Sequence, residues 1–123
     1  MSENLGFLDH ATIAVNELEA SRHFYGELLG LVEIPRRFYI SAPGTWFLAG
    51  DREIHLLVHP NDDKLTGSYH IAFRCNDVAK KVSDLESAGV KISGYPSVRT
   101  DGTIQAYIED PSGNRIELQQ RPS

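Results

Sequence analysis

An internal repeat constrains this chain more than any other feature. The segment DHATIAVNELEA lies over YHIAFRCNDVAK at a constant offset of 60 residues, which carries His10 onto His70 and Asn16 onto Asn76. In both copies a His precedes a short apolar-alternating run, and an Asn follows where a helix would start. The ends match too, since Ile54-His55-Leu56 resembles Ile116-Glu117-Leu118. Two copies are too few for a solenoid. The repeat instead predicts two modules packed around a shared cleft.

Periodicity gives each module the same order, one strand, one helix and three strands. Residues 5–15 read as a strand, and Asn16 with Glu19 makes a capping pair for a helix that stops at Gly30. Leu18, Phe24, Leu28 and Leu29 form its buried stripe, and Tyr25 reads as structural. Strands are predicted at 31–34, 45–49 and 53–59, followed by a polar linker at 60–67. In the second half a strand at 69–75 leads to a helix capped by Asn76 or Asp77 and ending near Gly89. A strand at 90–92 is followed by a loop containing Gly94, Pro96 and Asp101-Gly102. Strands at 104–109 and 115–119 are joined by the turn Asp110-Pro111-Ser112-Gly113-Asn114. The modules span about residues 5–60 and 68–120, within one domain of 123 residues.

Charge and composition narrow the partners. The net charge is −5 and the basic residues form no stripe, which argues against nucleic acid. No apolar run approaches the ~20 residues of a membrane helix. The first residues, MSENLGFLDH, do not read as a signal peptide, and the single cysteine, Cys75, fits a reducing compartment, so the cytoplasm is the default location. A small organic molecule is the default partner.

Strand parity then sorts the side chains. Ala11, Ile13 and Val15 share one face of the first strand, and His10, Thr12 and Ala14 the other. Ile54, Leu56 and Val58 oppose Glu53, His55, Leu57 and His59. Ile71, Phe73 and Cys75 oppose His70, Ala72 and Arg74, and Ile116 and Leu118 oppose Arg115, Glu117 and Gln119. The first face of each strand can pack on a helix. The second carries His10, His55, His70 and Glu117 at positions related by the repeat. Imidazole and carboxylate donors suit a divalent ion such as Ni, Zn, Fe, Co or Mn. Three neutral imidazoles and one carboxylate leave the ion with a net charge of about +1, receptive to an anionic oxygen. His59 shares the parity of His55 and is a candidate substrate contact. His23 reads as a surface or subunit-interface residue, and Glu53 and Glu109 as solvated. Phe38, Tyr39, Trp46 and Tyr107 are candidates for a substrate pocket, with Arg36 or Arg37 as an anion clamp; core packing explains the aromatic residues equally well.

The segments LDHATIAV, HFYGELLGL, EIHLLVH, YHIAF and YIEDPSGNRIEL together resemble the vicinal oxygen chelate superfamily, which includes glyoxalase I, extradiol dioxygenases, fosfomycin-resistance enzymes and bleomycin-binding proteins. The resemblance runs from about residue 8 to 118. It implies an α+β fold of paired βαβββ modules forming a curved, open-barrel cleft around a metal. It implies metal ligands at His10, His55, His70 and Glu117, and a homodimer whose sites often combine ligands from both subunits. It implies bidentate chelation of neighbouring substrate oxygens, with lyase or isomerase chemistry favoured and Glu117, Tyr107 and His55 as catalytic residues.

Departures from the family pattern bear on the reaction. Glyoxalase I carries Glu or Gln where this chain has His55. Its glutathione-gripping Arg and Asn correspond here to Ala14 and His59, which argues against a dedicated lactoylglutathione lyase. Extradiol dioxygenases use a His, His, Glu triad, matched by His10, His70 and Glu117, and a Tyr matched by Tyr107. Their further upstream His is replaced by the Val98-Arg99-Thr100 region. Fosfomycin thiol transferases share the triad, the Tyr and a Thr matched by Thr12, but PSVRTDG lacks their Ser- and Lys-rich cation loop. A non-catalytic ligand-sequestering protein is the alternative of a different class.

Overall fold

The computed structural model describes residues 4–59 and 63–122. Both halves have the expected order. The first comprises β1 (His10–Val15), helix α1 (Leu18–Arg22, continued by a π-helical turn His23–Leu28), β2 (Val32–Ile34), β3 (Gly44–Ala49) and β4 (Arg52–Val58). The second comprises β5 (Ile71–Arg74), α2 (Val78–Ser87), β6 (Lys91–Val98), β7 (Ile104–Glu109) and β8 (Arg115–Gln120). Each half makes one four-stranded mixed sheet, in the orders β1-β4-β3-β2 and β5-β8-β7-β6. The first strand of each half runs parallel to the last and the remaining pairs are antiparallel. This is the expected α+β architecture.

Parity explains the core. Ile13, Val15, Ile54, Leu56, Ile116 and Leu118 are buried with Phe24, Val78, Val82 and Leu85 of the helices, and Ala11, Ile71, Phe73 and Cys75 pack against them. The α1 segment lies on β3 and β4, and α2 on β6, β7 and β8. None of the described helices is long and apolar enough to cross a membrane.

Several local expectations are corrected. The first strand begins at His10 rather than at residue 5. The cap of α1 is Glu17, whose carboxylate accepts from the N–H of Glu19 and Ala20 at 3.1 and 2.7 Å; the Asn16 N–H instead donates to Ser112 Oγ at 2.8 Å. The cap of α2 is Asp77, one of the two expected positions, so the capping position repeats one residue after the Asn. Leu29 N–H reaches back to Phe24 carbonyl, a five-residue span. That wider turn helps both Phe24 and Tyr25 point inward, and both are buried. The loop expected from residue 93 is strand instead, because β6 continues through Gly94 and Pro96. It is an edge strand with register shifts on either side of Gly94, the setting in which a strand accommodates a proline. The linker at 60–67 has no strand or helix in residues 63–66, and residues 60–62 lie outside the described residues.

Candidate functional site

Sheet register assembles the first cluster. His10 lies beside Glu53, and His55 is flanked by Thr12 on β1 and Trp46 on β3. The His55 ring is sandwiched, with the His10 ring 4.1 Å away at 16° and the Trp46 ring 3.8 Å away at 3°. Phe38 meets Trp46 edge-on at 5.4 Å, and the Arg37 guanidinium lies 4.6 Å over the same ring. Arg37 grips both oxygens of Glu53, at 2.7 and 3.0 Å, and Glu53 Oε1 lies 2.8 Å from His55 Nε2. The Arg37 fork, then the His55 contact, holds the Glu53 carboxyl down at about 2. An ionised carboxylate only accepts, so His55 Nε2–H donates to it and Nδ1 is the ring nitrogen turned away from Glu53. His10 Nδ1 is 2.9 Å from Asp9, which orients that ring in the same manner.

The second cluster stands on β7, β8 and the residue before β5, which begins at Ile71 rather than at residue 69. Glu117 is 2% exposed, between Ala72 and Tyr107 in the sheet. Its Oε1 lies 3.0 Å from His70 Nε2, and its Oε2 lies 3.4 Å from both Arg99 Nη2 and Gln119 Nε2. His70 Nδ1 lies 2.9 Å from the Ser68 carbonyl. A carbonyl accepts only, so Nδ1–H donates to it, which turns Nε2 toward the carboxylate oxygen. At that separation the two atoms are joined either by a proton on Nε2 or by a shared cation. Donors on adjacent corners of an octahedral ion with bonds of about 2.1 Å lie about 3 Å apart, so the pair fits a divalent metal. Tyr107 meets His70 edge-on at 5.6 Å, beneath the Arg115 guanidinium at 4.1 Å. Gly94 makes room for that ring, since a Cβ there would lie 3.1 Å from Tyr107 Cδ2.

The four candidate ligands therefore come as two pairs, His10 with His55 and His70 with Glu117. Among the described residues no three His, Cys, Asp or Glu side chains of one chain form a group able to hold a metal. A groove of about 1020 Å³ runs between the two sheets, with Ala11, Glu53 and Ile54 on one side and His70, Ile71 and Phe73 on the other.

A model of the glyoxalase/bleomycin resistance protein/dioxygenase superfamily matches residues 7–118. The chain belongs to this superfamily. Within it, a Synechocystis protein named "Probable lactoylglutathione lyase" is 31% identical, over 95% of this chain and 97% of its own length. The glutathione transferase FosA of Serratia marcescens is 32% identical, over 90% of this chain and 78% of its own. The crystal structure of a glyoxalase family protein from Bacillus anthracis superposes with a TM-score of 0.85 at 31% identity, covering 99% of this chain and all of that one.

Other candidates from the superfamily pattern occupy varied positions. Thr12 is exposed beside His55. Trp46 is almost wholly covered and braces the His55 ring. Phe38 and Tyr39 are exposed. Arg36 donates to the Ile40, Ala42 and Gly44 carbonyls at 3.5, 3.0 and 2.8 Å, so its guanidinium holds its own loop. His59 lies 3.5 Å from Asp63, and His23 is exposed beside Glu27. Sequence reasoning missed Glu53 and Arg99. Glu53 had been read as solvated, yet its parity with His55 was a usable signal. Arg99 left none, because a turn returns its side chain to the sheet.

Proposed function

We propose that this superfamily member is a divalent-metal-dependent enzyme acting on a small molecule that chelates the metal through neighbouring oxygens, with lyase or isomerase chemistry. The metal is held by His10 and His55 of one chain and His70 and Glu117 of a second, in a cytoplasmic homodimer. The carrying observation is the division of the four side chains into two ordered pairs. His10 stands on β1 and His70 immediately before β5, both strands at sheet edges, while His55 and Glu117 stand on the strands beside them. Joining β1 of one chain to β5 of another would complete both sites by the same symmetric contact.

When bound, the metal supplies Lewis-acid stabilisation of a developing enolate or alkoxide. The chain's residues do the rest. Glu53 and Asp9 orient the imidazoles of His55 and His10. Tyr107, edge-on to His70, bounds the second pair. Thr12 and Phe38 stand beside the first pair, where substrate would lie. A thiol-transfer reaction is the second reading, supported by the likeness to FosA and by Tyr107 and Thr12 beside the two pairs.

Subunit complementation tests the shared site. His10→Ala and Glu117→Ala variants are each expected to lose high-affinity metal. Co-refolded together, they form mixed dimers with one intact site, so about half a metal per chain returns within the mixed species. If the site lay within one chain, no mixture would recover metal.

A further inference from the structure

We infer that Arg99 is an anion-binding residue of this site, and that the substrate class is a small acid whose carboxylate oxygen lies between the Arg99 guanidinium and the metal pair His70–Glu117. This deepens the metal-enzyme reading and rests on it for the metal.

The inference begins with how the guanidinium groups are used. Arg36 is spent on three loop carbonyls and Arg37 on both oxygens of Glu53. Arg115 donates to the Gly67 carbonyl at 2.6 Å and covers Tyr107. Arg99 is different. Its Nε donates to Gln105 Oε1 at 2.6 Å, which anchors the fork, while Nη2 reaches Glu117 only at 3.4 Å. A committed charge-assisted pair is about 2.7–2.9 Å long. Of its five N–H groups most are therefore still available, and the side chain is 44% exposed.

The backbone holds Arg99 there. Its N–H donates to the Thr103 carbonyl and its own carbonyl accepts from Gly102 N–H, at 2.8 and 2.9 Å. Gly102 sits at φ +89°, a conformation glycine adopts without strain. Asp101 on the same turn accepts from Thr103 N–H at 2.9 Å. The surrounding sheet face is cationic. Register places Arg74, Arg115 and Glu117 on it with Glu109, and Glu109 is paired with Lys91 at 3.2 Å. Once Glu117 is engaged by a metal, Gln119 and Arg99 are left beside it, and Arg99 is the one that carries charge for an anionic oxygen on that metal. All these residues belong to one sheet of one chain, so the argument does not depend on the dimer.

The test uses the full-length protein with and without divalent metal, titrated with oxalate and with hydroxyacetone, which offers neighbouring oxygens without charge. Calorimetry gives affinities, and the Arg99 Nε–Hε NMR resonance reports contact. With metal bound, Arg99→Gln is expected to weaken oxalate about 10- to 100-fold and hydroxyacetone by less than about 3-fold. Arg99→Lys, which keeps the charge and the turn, is expected to fall between. Without metal, oxalate still moves the Arg99 resonance. Equal oxalate affinity in wild type and Arg99→Gln, or an unmoved resonance in both forms, overturns the inference. A chain that binds no metal yet shifts Arg99 with oxalate would sink the metal reading and leave the anion site standing.

Discussion

At the scale of single residues, Glu53 changes most between sequence and structure. A side chain read as solvated is the acceptor that links Arg37 to His55. Its carboxyl is held at about 2 against an ordinary 4.5. A group with a lowered folded pKa stabilises fully above its unfolded value and loses that contribution as pH falls toward the folded one. In metal-free protein the melting-temperature gap between wild type and Glu53→Gln should be complete at pH 7 and shrink between about pH 4.5 and 2. A gap flat across that range would show that the Arg37 fork contributes nothing electrostatic. Ala14 and His59 support a second expectation. The first offers only a methyl group and the second sits beside Asp63, so neither supplies an Arg-like grip for glutathione. Losing such charge-assisted contacts costs about 2–4 kcal/mol, or roughly 30- to 1,000-fold in rate. Turnover of the methylglyoxal–glutathione hemithioacetal should fall well below ~10⁴ M⁻¹s⁻¹ with Ni, Zn, Co or Mn. Efficiency above that level would return the assignment to glyoxalase I, with His55 backed by Glu53 moving the proton.

At the scale of elements, the β7–β8 turn joins the two halves. Asp110 is buried and accepts from Ser112 N–H, Asn114 N–H and Asn114 Nδ2 at 2.8–2.9 Å and from Tyr25 Oη of the π-helical turn at 2.7 Å. Burial first, then Asp110, pushes the Tyr25 phenol well above its usual range, so it stays a donor throughout. Asn114 is fully buried, donates to the Ala14 carbonyl of β1 and accepts from Leu65 N–H. The Asp-Pro-x-Gly-Asn motif is therefore a clasp between modules as much as a family mark. Asn114→Ala takes a partner from the half-buried Leu65 N–H and Ala14 carbonyl and one donor from buried Asp110, which keeps Tyr25, and should destabilise by about 2–4 kcal/mol. Tyr25→Phe removes one of four donors to Asp110 and should cost about 1–2 kcal/mol. Urea titrations rank the two, and an Asn114→Ala effect no larger than that of Tyr25→Phe would contradict the clasp.

At the scale of the whole molecule, β1 and β5 are the edge strands that carry or adjoin the candidate ligands His10 and His70. Strands β1 and β5 each have one neighbour, and exposed apolar side chains precede both: Leu5, Phe7 and Leu8 before β1, and Tyr69 before β5. Open edges flanked by apolar side chains invite association. Light scattering should therefore find a homodimer near twice 13.7 kDa at micromolar concentration, and a monomer would remove the shared site with it. Elemental analysis after reconstitution should give about one divalent metal per chain. Binding no better than that of a His10→Ala, Glu117→Ala double variant would leave the family fold without its metal.

The repeat, the strand parity and the turn motif already specified the order of elements, the two faces of each strand and the four candidate ligands. They could do so because side-chain alternation and capping are local properties of a few consecutive residues. Even there the local signal slipped at the margins. Glu17 took the cap from Asn16, and an edge position let β6 run through Gly94 and Pro96. Grouping was another matter. Parity says which face carries His55, but only the parallel pairing of β1 with β4 brings His10 to its ring, and only the path of the loops brings Arg37 to Glu53 and Arg99 to Glu117. Those contacts join residues far apart in sequence and depend on how twisted sheets and turns place side chains in space, so the division of the candidate ligands into two pairs emerged only with the tertiary structure.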